Sequence, residues 1–143
     1  MLFQGQSNRA LPAIAAGARR RDAGQSLVEF ALIAPLVLAL LFGIVEFGRG
    51  FQSWLEITNA AAFGARTGPV GASAADIEVA TRGATTTLDP AAITVTTTNA
   101  GGPAGEAVVV RVDYAMPMLT PIFAVLVPGG VITVTAIATQ RLE

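Results

Sequence analysis

Glu29 is the single charged residue within Leu27 to Val45 (LVEFALIAPLVLALLFGIV), a 19-residue apolar tract. A carboxylate in hydrocarbon costs about 2.5–3.5 kcal/mol at mid-membrane and less near the boundary, so a partner is expected for it. The alternative is a boundary acid favoured by the helix dipole and wetted by lipid headgroups. Two other carboxylate arrangements carry less chemistry. Asp76 and Glu78 stand two apart on a helical pattern and point to different faces. Arg111 and Asp113 share the outer face of a strand pattern, where charge ordinarily meets solvent. The chain has no histidine and no cysteine, which removes disulfides, thiol nucleophiles, thiolate or imidazole metal sites and the commonest general base. It has no lysine and a net charge of −1, so a nucleic-acid-binding surface has little to build from. No catalytic residue, cofactor or metal site is expected.

The elements that place these residues begin with a lopsided charge distribution. Residues 1–24 hold Arg9, Arg19, Arg20 and Arg21 against Asp22 alone, for a net +3, while the rest of the chain carries −4. This first segment is small and polar, interrupted by Gly5, Pro12 and Gly17, and reads as a largely disordered leader. The apolar tract that follows makes a helix about 28 Å long, close to the ~30 Å of bilayer hydrocarbon. A chain of 143 residues is too small to surround a helix apolar on every face. Pro35 and Gly43 are tolerated in spanning helices. The tract is longer than a signal-peptide core of about 7–15 residues and is followed by no A-x-A-like cleavage site, so it stays in the mature protein. Arginines before it, with only Arg49 close after it, leave residues 1–24 cytoplasmic and the C-terminal part outside.

Beyond the tract, Phe47, Phe51, Trp54, Leu55, Thr58, Ala61, Ala62 and Ala65 recur at helical steps, with Arg49, Gln52, Ser53, Glu56, Asn59 and Arg66 opposite. One helix should run out of the membrane as an amphipathic stalk and stop near Thr67-Gly68-Pro69. Ser73 and Asp76 form a capping pair for a second helix, with Ile77, Ala80, Ala84 and Leu88 on one face, ending at Asp89-Pro90. The period then changes to two. Ile93, Val95 and Thr97 mark a first strand, Val108, Val110, Val112 and Tyr114 a second, and Ile132, Val134, Ala136 and Ala138 a third. The loop Asn99 to Gly105 joins the first two as an antiparallel hairpin. The class is α+β: a long N-terminal transmembrane-plus-stalk helix, a short second helix, and a small three-stranded antiparallel sheet whose valine face packs on the stalk and covers its Trp54 stripe. Ala115 to Val127 is apolar yet too short and proline-broken to span, which makes it a packed connection or a contact surface centred on Leu119 and Phe123.

Gly24-Gln25-Ser26-Leu27-Val28-Glu29-Phe30, with arginines upstream and Ala31-Leu32-Ile33-Ala34-Pro35 downstream, resembles the N-terminus of type IV pilin-like proteins. Together with Phe42-Gly43-Ile44-Val45-Glu46-Phe47-Gly48 and the closing Ala136 to Glu143 segment, it is most similar to the TadE-like pseudopilins of tight-adherence (Flp) pilus systems. The resemblance implies cleavage by a prepilin peptidase between Gly24 and Gln25. It also implies a role in subunit packing for Glu29, Phe30 and Pro35. A new amine on Gln25 would lie one helical turn, about 6 Å along the axis, from Glu29. The implied organisation is a leader at 1–24, a transmembrane helix at 25–47 and an extracytoplasmic pilin-like domain at 48–143. The implied function is that of a minor pilin in assembly, initiation or tip of a tight-adherence pilus, not of an enzyme. The alternative is a membrane-anchored binding or adhesion module that never enters a filament. The partners so implied are inner-membrane lipid, other pilins, the assembly platform and the peptidase, with no nucleic acid.

Overall fold

The apolar tract shows neither strand-like alternation nor a breaker cluster, and it is helical throughout. In a computed structural model, which describes residues 12–142 and side chains from Gly24 onward, α1 spans Pro12–Thr67. Its start corrects the expectation of an irregular leader. Proline is at home in a first helical turn, and Ala13, Ala15, Ala16 and Ala18 are strong helix formers that outweigh the cost of about 1 kcal/mol for Gly17. Residues 1–11 of that leader, Arg9 among them, lie outside the described residues.

The described chain divides into two units, one ending at Leu41 and the other beginning at Phe42. In the first, Leu27, Phe30, Leu32, Leu36 and Leu40 are all exposed, and none of the most apolar 18-residue window of the helix is buried. Such a helix fits a single-pass membrane anchor, because in water that surface would have no cover.

In the second unit, α1 is followed by a short 3-10 turn at Gly68–Val70, then α2 (Ala74–Gly83), β1 (Ile93–Thr98), β2 (Ala107–Pro117), α3 (Pro121–Leu126) and β3 (Val131–Arg141). The strands form an antiparallel sheet in the order β1-β2-β3. Ile93 faces Tyr114 and Val95 faces Val112 across one pair, and Val112 faces Ala136 and Val110 faces Ala138 across the other. The alternation read from the sequence thus sets the register, and Val108, Val110, Val112, Tyr114 and Met116 share the buried face.

That face packs on α1, but not on the Trp54 stripe. Trp54 is 43% exposed, and Phe47, Phe51 and Leu55 are exposed with it, the Phe51 and Trp54 rings lying 5.9 Å apart. The buried row is Ser53, Ile57, Ala60, Ala61, Gly64, Ala65 and Gly68. Of the expected stripe, only its far end, Ala61 and Ala65, is covered. The reason is proximity. A Cβ on Gly64 would stand 2.0 Å from Thr81 Oγ1, and one on Gly68 would stand 2.5 Å from Val108 Cγ1. Only the small-residue row lets α2 and β2 come this near. The aromatic row, about 100° around the helix, would hold them off.

α2 begins as expected. Ser73 Oγ accepts from the Asp76 N–H, and the Asp76 carboxylate accepts from the Ser73 N–H in return, a complete capping box. It ends earlier than Asp89. Thr85, Thr86 and Thr87 are poor helix formers, and the N–H groups of Thr86 and Thr87 turn to the Glu56 carboxylate of α1.

Candidate functional site

Gly24 and Gln25, the implied cleavage junction, lie within α1, and both are exposed. A Cβ at Gly24 would meet nothing within 4 Å. The backbone at both residues is helical, not extended. One turn on, Gln25 Nε2 donates to Glu29 Oε1 at 3.1 Å. The four-residue spacing therefore places residue 25 beside this carboxylate. Phe30 and Pro35 are exposed on the same helix. Pro35 has no N–H to give the Ala31 carbonyl, so one rung of the helix is missing there.

A second carboxylate, in the other unit, is the better-built site. Glu46 follows the apolar tract immediately and is 7% exposed. Its Oε1 accepts from the backbone N–H groups of Leu119 and Thr120, both at 2.7 Å, and its Oε2 accepts from Arg49 Nη1 at 3.1 Å. Arg49 Nη1 also donates to the Pro117 carbonyl at 3.4 Å. Thr120 is the N-cap of α3, yet its hydroxyl makes no capping bond. A carboxylate reaching from α1 supplies the acceptor for the segment that enters α3. Charge-assisted bonds of this kind are stronger than neutral ones and hold the 117–120 segment against α1.

Around Glu46 lie two apolar pockets of about 310 and 210 Å³. The first is lined by Phe47, Gly50, Phe51, Met116 and Val134, the second by Gly43, Phe123 and Val127, and both by Glu46, Met118 and Ile132. The two residues singled out in the 115–127 segment have different surroundings. Phe123 is half-buried and its ring lies in van der Waals reach of a Cβ built on Gly43, at 3.6 Å. Leu119 is 66% exposed although its N–H is held by Glu46.

Asp113, Asp76 and Glu78 serve the fold. Asp113 takes a two-point contact from Arg111 at 2.8 and 3.0 Å and a hydroxyl bond from Thr135. The Arg111 bonds, then that of Thr135, hold its carboxyl below the usual aspartate range. Asp76 is lowered likewise by its Ser73 bonds. Glu78 pairs with Arg82 at 2.9 Å, so Asp76 and Glu78 do not act together.

Glu46 and Glu56 are the residues that sequence reasoning passed over. Each is an acid on the α1 pattern that looks solvated in one dimension. The available signal for Glu46 was its place: it directly follows an otherwise uncharged run, within a stretch rich in Gly and Phe.

Residues 24–66 match the family model described as TadE-like protein. The matched segment runs from the junction glycine through Glu29 and Glu46 to the small-residue row of α1, and stops short of α2 and the sheet. No curated protein and no solved structure matches the chain.

Proposed function

We propose that this protein is a minor pilin of a tight-adherence pilus, held in the bacterial inner membrane by α1 with residues 48–143 outside. In this reading a prepilin peptidase removes residues 1–24, and the mature chain begins at Gln25. The observation that carries the reading is the start of the TadE-like match at Gly24, followed at once by an unburied apolar helix with one acid near its beginning. The distribution of arginines supports the orientation.

Glu29 then has a definite task. Gln25 already lies beside its carboxylate, so the amine formed by cleavage is one turn away, on the same chain or on a neighbour. Pairing with a neighbour's amine sets the axial register of subunits, with Phe30 and Pro35 in the same contact. Other pilins and the assembly platform are the partners, and the domain beyond residue 48 is a structural and contact module without catalysis.

N-terminal sequencing of the membrane-extracted protein tests the reading. A chain starting at Gln25 is expected, and Gly24→Leu should leave the precursor uncut. A full-length mature protein would favour a simple anchored binding module. Glu29→Gln should preserve insertion and cleavage while reducing co-purification with other pilins. Unchanged association would leave Glu29 as a headgroup-wetted boundary acid.

A further inference from the structure

The segment around α3 exposes more large apolar surface than a water-facing hairpin of this size can justify. Val125 is 85% exposed, Leu126 73% and Leu119 66%, and Ile122 is exposed beside them. No charged residue stands between Asp113 and Arg141. Monomeric soluble domains seldom leave such a patch bare.

Its height along α1 says what covers it. Glu46 binds the N–H groups of Leu119 and Thr120, so the start of α3 is level with residue 46. Phe123 packs at Gly43, three residues earlier on α1. From Thr120 to Phe123 the chain therefore descends about 4–5 Å along the α1 axis, towards the apolar tract. Gly43, Ile44 and Val45 are the last residues of that tract. Val125 and Leu126 lie beyond Phe123 on the same short helix. α3 is thus held level with the last residues of the apolar tract, with Arg49 and the Glu46 clamp on the side away from that tract.

We propose that α3 is an interfacial anchor, with Leu119, Ile122, Val125 and Leu126 inserted into the headgroup and upper acyl region of the leaflet from which α1 emerges. The occupant of the patch is lipid. The clamp by Glu46 fixes the depth of insertion, and the two contacts, one spanning and one monotopic, hold the extracytoplasmic domain against the membrane surface. The inference rests on α1 spanning the bilayer, and is independent of the pilus role.

The chain has no cysteine, so single cysteines report cleanly. The full chain carrying Val125→Cys, Leu126→Cys, Val79→Cys or Leu38→Cys is spin-labelled and reconstituted into phosphatidylethanolamine–phosphatidylglycerol bilayers. Collision with oxygen is compared with collision with a water-soluble nickel chelate. Val79, on α2, is 71% exposed and serves as the water-facing reference, and Leu38 reports the span. The labels at 125 and 126 should be about fivefold or more less accessible to nickel than the label at 79, as expected for side chains some 5–10 Å into the interface. This protection should persist in nanodiscs holding one chain each. Nickel access equal to that at position 79, with position 38 protected, would overturn the proposal while leaving the span intact. Protection that disappears at one chain per disc would also overturn it, in favour of a second copy on the patch. Nickel access at position 38 would remove the span itself and the proposal with it.

Discussion

The stretches of α1 on either side of Leu41 differ in what they cover. Before it, leucines, valines and phenylalanines are uncovered. After it, Ser53, Ala60, Ala61, Gly64 and Ala65 are buried with Ile57, as is Gly68 just past the helix end, while Phe47, Phe51, Trp54 and Phe63 stay outside. Both stretches are helical and both are apolar, so hydrophobicity alone does not decide what is covered. The first has no cover from the described chain, and nothing there limits the bulk of its side chains. The second must admit a sheet and a helix at close range, and there the absence of a side chain matters more than its hydrophobicity. Glu46 stands near the changeover and holds the segment leading into α3.

The sharpest way to break this contrast is to add volume on the covered row. Gly64→Val drives carbon into Thr81, and should destabilise the detergent-solubilised chain by about 3 kcal/mol, read from denaturant unfolding followed by Trp54 fluorescence. Leu36→Ala, in the uncovered tract, should change the same transition by less than about 0.5 kcal/mol. Equal effects would abolish the distinction.

Removing the clamp comes next. Glu46→Leu orphans the N–H groups of Leu119 and Thr120 beside an apolar pocket, a loss of about 2 kcal/mol, with hydrogen exchange accelerated first at those two amides. Ser73→Ala breaks the capping box of α2 and should cost about 1 kcal/mol. That effect should be local to α2 and additive with Leu36→Ala.

The architecture was legible where the signal is one-dimensional. The period-two alternation in β2, the Ser73–Asp76 cap and the apolar tract each lie within a few residues of sequence, and each appears where expected. The face of α1 that meets the sheet was not legible. Two interleaved rows compete at residues 47–68, one aromatic and one small, and only the approach of Thr81 and Val108, distant in sequence, selects the small one. The same holds for the site. Gln25 and Glu29 are one turn apart and could be paired on paper, whereas Glu46 finds Leu119 and Thr120 across more than seventy residues. Glu56 likewise ends α2 early from thirty residues away, a contact no helix propensity encodes.

A smaller effect concerns two carboxylates away from the core, one on β2 and one in the first turn of α2. Asp113 and Asp76 both have carboxyls held below the ordinary value, so the unfolded chain binds more protons than the folded one as the medium is acidified. Their contribution is complete above the unfolded value of about 3.9 and is lost as pH falls through the lower folded values. The unfolding midpoint should therefore drop in the acid range, and Asp113→Asn should flatten part of that slope. An unchanged slope would show that the Arg111 contact contributes nothing to it.

In the proposed topology α1 changes solvent along its length, crossing a bilayer along the apolar tract that ends at Val45 and supporting a water-exposed domain beyond it. Single cysteines at Leu38 and Asn59, treated in intact spheroplasts with a membrane-impermeant maleimide, test it most directly. Rapid labelling is expected at 59, and none at 38 until the membrane is dissolved in denaturing detergent. Labelling of 38 from the outside, or protection of 59, would contradict it.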